Sequence, residues 1–242
     1  MPKLICNGHY YKRMNRMIRM LLALLVGGGL TSNWMMAAQS KAWSDKGVLL
    51  ISSQGQQLGT EKFSIDADTT QIIAKGELQL TAPGGGKVSE TCQLRLNAEL
   101  RPVSYEREQN SPQKGSLKAE FGEAETTLIS QTTAGQGEQM FLLPNNGLAI
   151  LDTNFFHHYA ILVRMYDEAR AGEQTFNVFI PQESLPATIR LKLVGKEVSN
   201  AAEMNHFQAI TEDIALDIYT AMDGTLNRLE IPNAGIEIRR QQ

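Results

Sequence analysis

Between residues 43 and 242, three histidines, one cysteine and a scatter of carboxylates are the side chains best able to do chemistry. His157 and His158 are adjacent. Neighbouring residues on a helix point about 100° apart, so two such imidazoles do not chelate one ion. The spacing that does is i, i+4, as in H-E-x-x-H. A third ligand would have to come from His206, Asp152 or Asp167. No metal site and no cofactor is therefore expected from His157, His158 and His206, and the adjacent pair reads as a helix-surface or capping pair. Cys92 has no Cys-His motif around it and reads as a small buried apolar side chain. The sequence holds no G-x-S-x-G elbow and no βαβ alternation to carry one. The glycines at 84–86 lack the Lys-Ser/Thr of a phosphate loop. Acidic strand faces could supply paired carboxylates for glycoside hydrolysis, but a solvated face explains them more simply. No catalytic residue is assigned.

The elements that must position these groups repeat every two residues. Glu77-Leu78-Gln79-Leu80-Thr81, Gln93-Leu94-Arg95-Leu96-Asn97 and Ile189-Arg190-Leu191-Lys192-Leu193 alternate polar and apolar side chains. Ile214, Leu216 and Ile218, then Ile236 and Ile238, keep the same period. Alternation gives a strand one apolar and one polar face, the signature of antiparallel sheets with one side on a core. Turn residues divide the runs at Pro83-Gly84-Gly85-Gly86, Asn110-Ser111-Pro112 and Gly135-Gln136-Gly137. Asn145-Asn146-Gly147 and Asp223-Gly224 suit tight hairpins. The fold class is mainly β: a large curved antiparallel sheet, or an open or closed β-barrel, with one amphipathic α-helix packed on it.

That helix is predicted over Phe155–Tyr166, three to four turns long, with Asp152 as N-cap and Ala171-Gly172 closing the segment. Phe155, Tyr159, Leu162 and Tyr166 fall at i, i+4, i+7 and i+11 and make one stripe. They are expected to face the concave side of the sheet, by packing alone or as the lining of a site for an apolar ligand.

Residues 1–42 read as a cleaved signal peptide, leaving 43–242 as a single antiparallel β domain. Lys3, Lys12, Arg13, Arg16 and Arg19 precede a short apolar run, Met20–Val26, and then small residues. Ala38, Ser40 and Ala42 are candidate cleavage positions, and Met14 or Met17 could be the true start. A membrane anchor is the rival reading, but a span needs roughly 20 apolar residues. Six of the 23 Lys and Arg lie in this leader, which leaves 17 against 26 Asp and Glu, a net charge of −9. An acidic chain lacks the basic footprint of a nucleic-acid binder. Cys6 leaves with the leader, so no structural disulfide is expected.

Tyr166-Asp167, Gly172 to Pro181, Gly195-Lys196-Glu197-Val198 and Asp223 to Pro232 carry a family resemblance. Their order is a short helix, a Gly-led strand, a strand with Gly-x-Glu, a long antiparallel pair and an Asp-Gly turn before a final strand. It resembles uncharacterised exported bacterial β proteins catalogued as domains of unknown function, similar in architecture to the half-barrels of periplasmic lipoprotein carriers. The resemblance implies a fold and a periplasmic or otherwise exported location, and brings no catalytic residue. The function expected is non-catalytic binding of a lipid, acyl chain or other apolar small molecule; the alternatives are an envelope scaffold with a filled barrel that partners another envelope protein and, last, a hydrolase.

Overall fold

The computed structural model describes residues 42–81, 85–111, 113–199, 202–212 and 214–241. The leader, save Ala42, and the turn residues Pro83, Gly84 and Pro112 lie outside them. Eight strands come first: β1 (Trp43–Ser53), β2 (Gln56–Ala67), β3 (Gln71–Thr81), β4 (Lys87–Asn97), β5 (Pro102–Ser111), β6 (Gly115–Phe121), β7 (Thr126–Thr132) and β8 (Gly135–Phe141). A short β9 (Leu148–Ile150) leads to the helix α1 (His158–Arg164). Six more strands follow: β10 (Glu173–Ile180), β11 (Leu185–Ser199), β12 (Ala202–Ile210), β13 (Ala215–Ala221), β14 (Leu226–Ile231) and β15 (Ile236–Arg240).

All fifteen strands form one curved sheet that does not close, in the order β8-β7-β6-β5-β4-β3-β2-β1-β15-β14-β13-β12-β11-β10-β9. Neighbours in the sheet are neighbours in the chain, apart from one seam where β1 pairs antiparallel with β15. Every pairing is antiparallel except β9 with β10, which the α1 crossover makes possible. The far ends of the sheet approach each other through aromatic side chains. Phe179 of β10 lies 6.3 Å from Phe121 of β6 and 5.0 Å from Phe141 of β8, between ring centroids.

The two-residue period explains the inner face. On β3, Ile72, Ala74 and Leu78 are buried while Gln71, Lys75, Glu77 and Gln79 are exposed. Register then builds rows of inward side chains across strands: Ile65 beside Ala74 beside Leu94, and Phe63 beside Gly76 beside Cys92. Inward side chains from β1 to β15 merge into one apolar core.

Two turn expectations change. Gly135 and Gly137 belong to β8 and the turn lies at 133–134, because Gly135 already pairs with Thr132. Asn145-Asn146-Gly147 turns the chain into β9, which pairs with β10 and not with β8, so it closes no hairpin. Asp223-Gly224 does turn β13 into β14, with Gly224 at φ 83°.

Candidate functional site

The helix is shorter than its apolar stripe. It covers His158–Arg164, two turns, with His157 as N-cap. Phe155 and Phe156 precede it, held by tertiary contacts. Asp152 does not cap it either. Its carboxylate accepts hydrogen bonds from the Tyr105 hydroxyl, the Gln182 amide and the Asn154 N–H.

His157 is itself in the helical region as N-cap, with φ −62° and ψ −19°, so the way the side chains are placed, and not a break in the backbone, brings the two rings together. The two rings meet edge to face with centroids 4.5 Å apart, and both side chains are buried. Cys92 Sγ lies 4.0 Å from His158 Nε2. One donor atom from each of Cys92, His157 and His158 falls within 4.8 Å of the other two. The expectation that the adjacent histidines diverge is thereby corrected. His206 stands apart on β12, its Nε2 2.8 Å from Asp217 Oδ1.

A glycine on the sheet makes room for this. A Cβ at Gly76 would fall 2.6 Å from Phe155 Cδ1 and 2.9 Å from His157 Cε1. The missing side chain is a notch between Phe63 and Cys92 into which the Phe155 and His157 rings drop. Phe63 stacks on His157 at 5.6 Å, and Tyr105 meets His158 edge-on at 5.9 Å.

Glu61, on β2, holds the chain at the helix entrance. Its carboxyl accepts from the Phe156 N–H at 2.8 Å and contacts His157 Nδ1 and N–H. Spacing arguments missed it, yet the sequence carried a signal. Glu61 is in phase with the inward Phe63, Ile65 and Ala67, as Glu90 is with Cys92, Leu94 and Leu96, and Asp45 with Leu49 and Ile51. An acid in the apolar register of a strand must find a partner, since an unpaired buried charge is costly. Glu90 finds Arg107 at 2.6 Å and Asn154 at 3.0 Å. Asp45 finds Arg240.

Burial sets the protonation of the cluster. Desolvation pushes Glu61 up to about 8, against the pull of the Phe156 and His157 N–H groups. It pushes His157 down to about 3 and His158 well below the ordinary range, helped by the neighbouring His157. Burial, then the charges of Asp152 and Glu61, raises the Cys92 thiol well above its usual value. A reactive cysteine needs a thiolate, and here the thiol and both imidazoles are held neutral. As it stands, the cluster is poor in nucleophile and general base. His157 Nε2 and His158 Nδ1 are also buried with no hydrogen-bond partner among the described residues, at about 1–3 kcal/mol for each unmet group.

Three of the four stripe residues are buried in the core. Phe155 and Leu162 are fully buried and Tyr166 nearly so, with Tyr166 edge-on to Phe207 of β12 at 5.5 Å. Tyr159 is half-buried. A cleft of about 240 Å³ lies beside them, lined by Trp43, Ala67, Ile72, Leu100 and Arg164 among others. Arg164 closes one side with its guanidinium 3.7 Å from the Trp43 ring centre.

Fold and site together define an open, barrel-like antiparallel sheet with a helix inside its curve. No protein-family model matches the chain, and no curated protein matches it. Among solved structures, it is similar to a beta-barrel-like protein of Domain of Unknown Function DUF1849 from Brucella abortus. That likeness has a TM-score of 0.56 at 6% identity, covering 82% of this chain and 94% of that one. A DUF1089 family protein from Pseudomonas aeruginosa aligns at a TM-score of 0.46 and 11% identity, over 72% of this chain and 90% of that one. At such identities the first likeness establishes the fold alone.

Proposed function

We propose that this chain is an exported, non-catalytic cell-envelope protein that serves as an assembly partner, with its interior filled by its own helix. The observation that carries this reading is the filled curve of the sheet. Phe155, Leu162 and Tyr166 occupy the space that a carrier would leave for its ligand. A docking feature lies on the outside: among the described residues β8 is an edge strand, paired only with β7 and almost wholly exposed. Met140 and Leu142 are 64% and 84% exposed there. An unpaired edge is a template for a strand from another chain. The basic leader and short apolar run support export.

The test has two arms. A photo-crosslinker at Met140, in the native host's envelope, should capture one protein, and proline substitutions along 136–139 should abolish the capture. Capture that survives those prolines, or none at all, overturns the edge-strand reading. N-terminal sequencing should find a start between Gln39 and Trp43, whereas an intact N-terminus in the membrane fraction would replace export with anchoring.

The cleft at Trp43 favours a second reading, binding of an apolar small molecule. It is smaller than the roughly 300–1,000 Å³ of ordinary ligand sites, so it suits a short group rather than a whole lipid. Saturable displacement of a fluorescent fatty acid, lost in Leu100→Ala, would restore the carrier reading. Phe155→Ala or Leu162→Ala should cost about 2–5 kcal/mol as packed residues and create no probe binding.

A further inference from the structure

The Cys92, His157 and His158 cluster goes unused in that reading. We propose that these three side chains form a metal site for a thiophilic d10 cation, Cu(I) or Zn(II). Thiolate and imidazole are the donors such ions select. The three donor atoms already lie within 4.8 Å of one another, in a buried setting.

Metal–sulfur and metal–nitrogen bonds of about 2.3 and 2.0 Å place sulfur and nitrogen roughly 3.7 Å apart in a three-coordinate site. The Cys92 Sγ to His158 Nε2 separation is 4.0 Å, so small side-chain rotations bring the donors into position. Three donors complete a trigonal Cu(I) site, while Zn(II) would add a water as its fourth ligand.

Two further observations point to a ligand. The first is that His157 Nε2, the nitrogen turned away from Glu61, is buried with no partner among the described residues. A buried imidazole kept only for structure has no reason to leave that nitrogen bare. The second is the Glu61 contact to His157 Nδ1. A carboxyl oxygen accepting from the far N–H, which the carbonyl oxygen of a neutral Glu61 can do, is the usual outer-shell arrangement of a metal-bound histidine and fixes the tautomer that presents the other nitrogen. Here the other nitrogen is the bare Nε2. Binding would exchange the Cys92 thiol proton for the cation, release that proton to solvent and move no electron. A nearby cation also reverses the preference for a neutral thiol.

The test uses the whole chain carrying Cys6→Ser, so that Cys92 is the sole thiol. Metal-free protein is titrated with Cu(I) or with Zn(II) against a competing chelator, and bound metal is counted per chain. One equivalent of either ion is expected, and Co(II) should give thiolate-to-metal charge-transfer absorption. Cys92→Ser should weaken binding at least 100-fold. Glu61→Gln should weaken it 10- to 100-fold as an outer-shell partner. His206→Gln, outside the cluster, should leave it unchanged. Failure of both ions to bind stoichiometrically, or undiminished binding in folded Cys92→Ser, would overturn the proposal. The β8 crosslinking result does not depend on either outcome.

Discussion

The molecule contains two histidine–carboxylate pairs that are nearly the same object in opposite surroundings. Glu61–His157 lies inside the sheet's curve with neither side chain exposed. Asp217–His206 lies on β12 and β13 with its side chains 21% and 22% exposed. Each imidazole stacks on an aromatic ring, His157 on Phe63 at 12° and His206 on Tyr219 at 14°. The outer pair belongs to a charged lattice: Arg228 stands over Tyr219 and reaches Glu197 at 3.1 Å and Glu230 at 3.2 Å. The inner pair faces apolar rings and backbone. Pairing is common to both, so dryness separates them. In water an ion pair is screened and worth little; without water the cost of charge dominates and both members are driven toward neutrality.

The comparison breaks most readily at Glu61. Glu61→Ala strips the partners from the Phe156 N–H and the His157 ring and should cost about 1–3 kcal/mol for each buried group left unmet, read in urea unfolding. A loss below about 1 kcal/mol would mean that water already reaches the pair.

The pH dependence comes next. Folded Glu61 keeps its proton to about pH 8, against an ordinary value of 4.5, so its contribution to stability is lost as pH rises through that window. Folded His157 takes a proton only below about 3, against 6.5, so its contribution grows as pH rises from 3 to 6.5. The two slopes oppose each other between 4.5 and 6.5, and from 6.5 to 8 the Glu61 slope stands alone. Wild type should then lose stability relative to Glu61→Gln by up to about 1.4 kcal/mol per pH unit. A constant difference across that interval would mean that Glu61 is ionised in the fold.

Gly76→Ala sharpens the contrast without touching a polar atom. The new methyl must displace the Phe155 and His157 rings, at about 1–3 kcal/mol for overpacking. It should also raise the reactivity of Cys92 toward alkylating agents. Asp217→Asn is the smallest effect, about 0.2–1 kcal/mol, and should shrink further in high salt.

The sheet was legible in the sequence because alternation maps directly onto faces: Ile72, Ala74 and Leu78 point inward as their spacing requires. The stripe Phe155–Tyr166 was legible as buried but misleading as helix. Its first residues owe their place to Gly76 and Glu61, which lie some 80 to 95 positions earlier in the chain. Local periodicity cannot register such contacts, and the convergence of His157 and His158 follows from them. The two-strand pairing of β9 with β10 was equally hidden, since only tertiary placement decides which neighbour three apolar residues join.

The seam between β1 and β15 has a consequence for how the chain acquires its fold. Every other strand pair brings together segments already close in sequence, whereas this one waits for strands nearly two hundred residues apart, with Leu49 opposite Arg240. Two meanders can zip independently and then need a single long-range closure, which carries the largest loop entropy in the molecule. A circular permutant that links Arg240 to Trp43 and opens between Leu142 and Gly147 would turn the seam into a hairpin. The linker must run back along about six residues of β1, roughly 20 Å. Such a chain would keep the same native pairings, yet from β10 through β15 and β1 to β8 its sheet would be one unbroken meander that folds faster at nearly unchanged equilibrium stability.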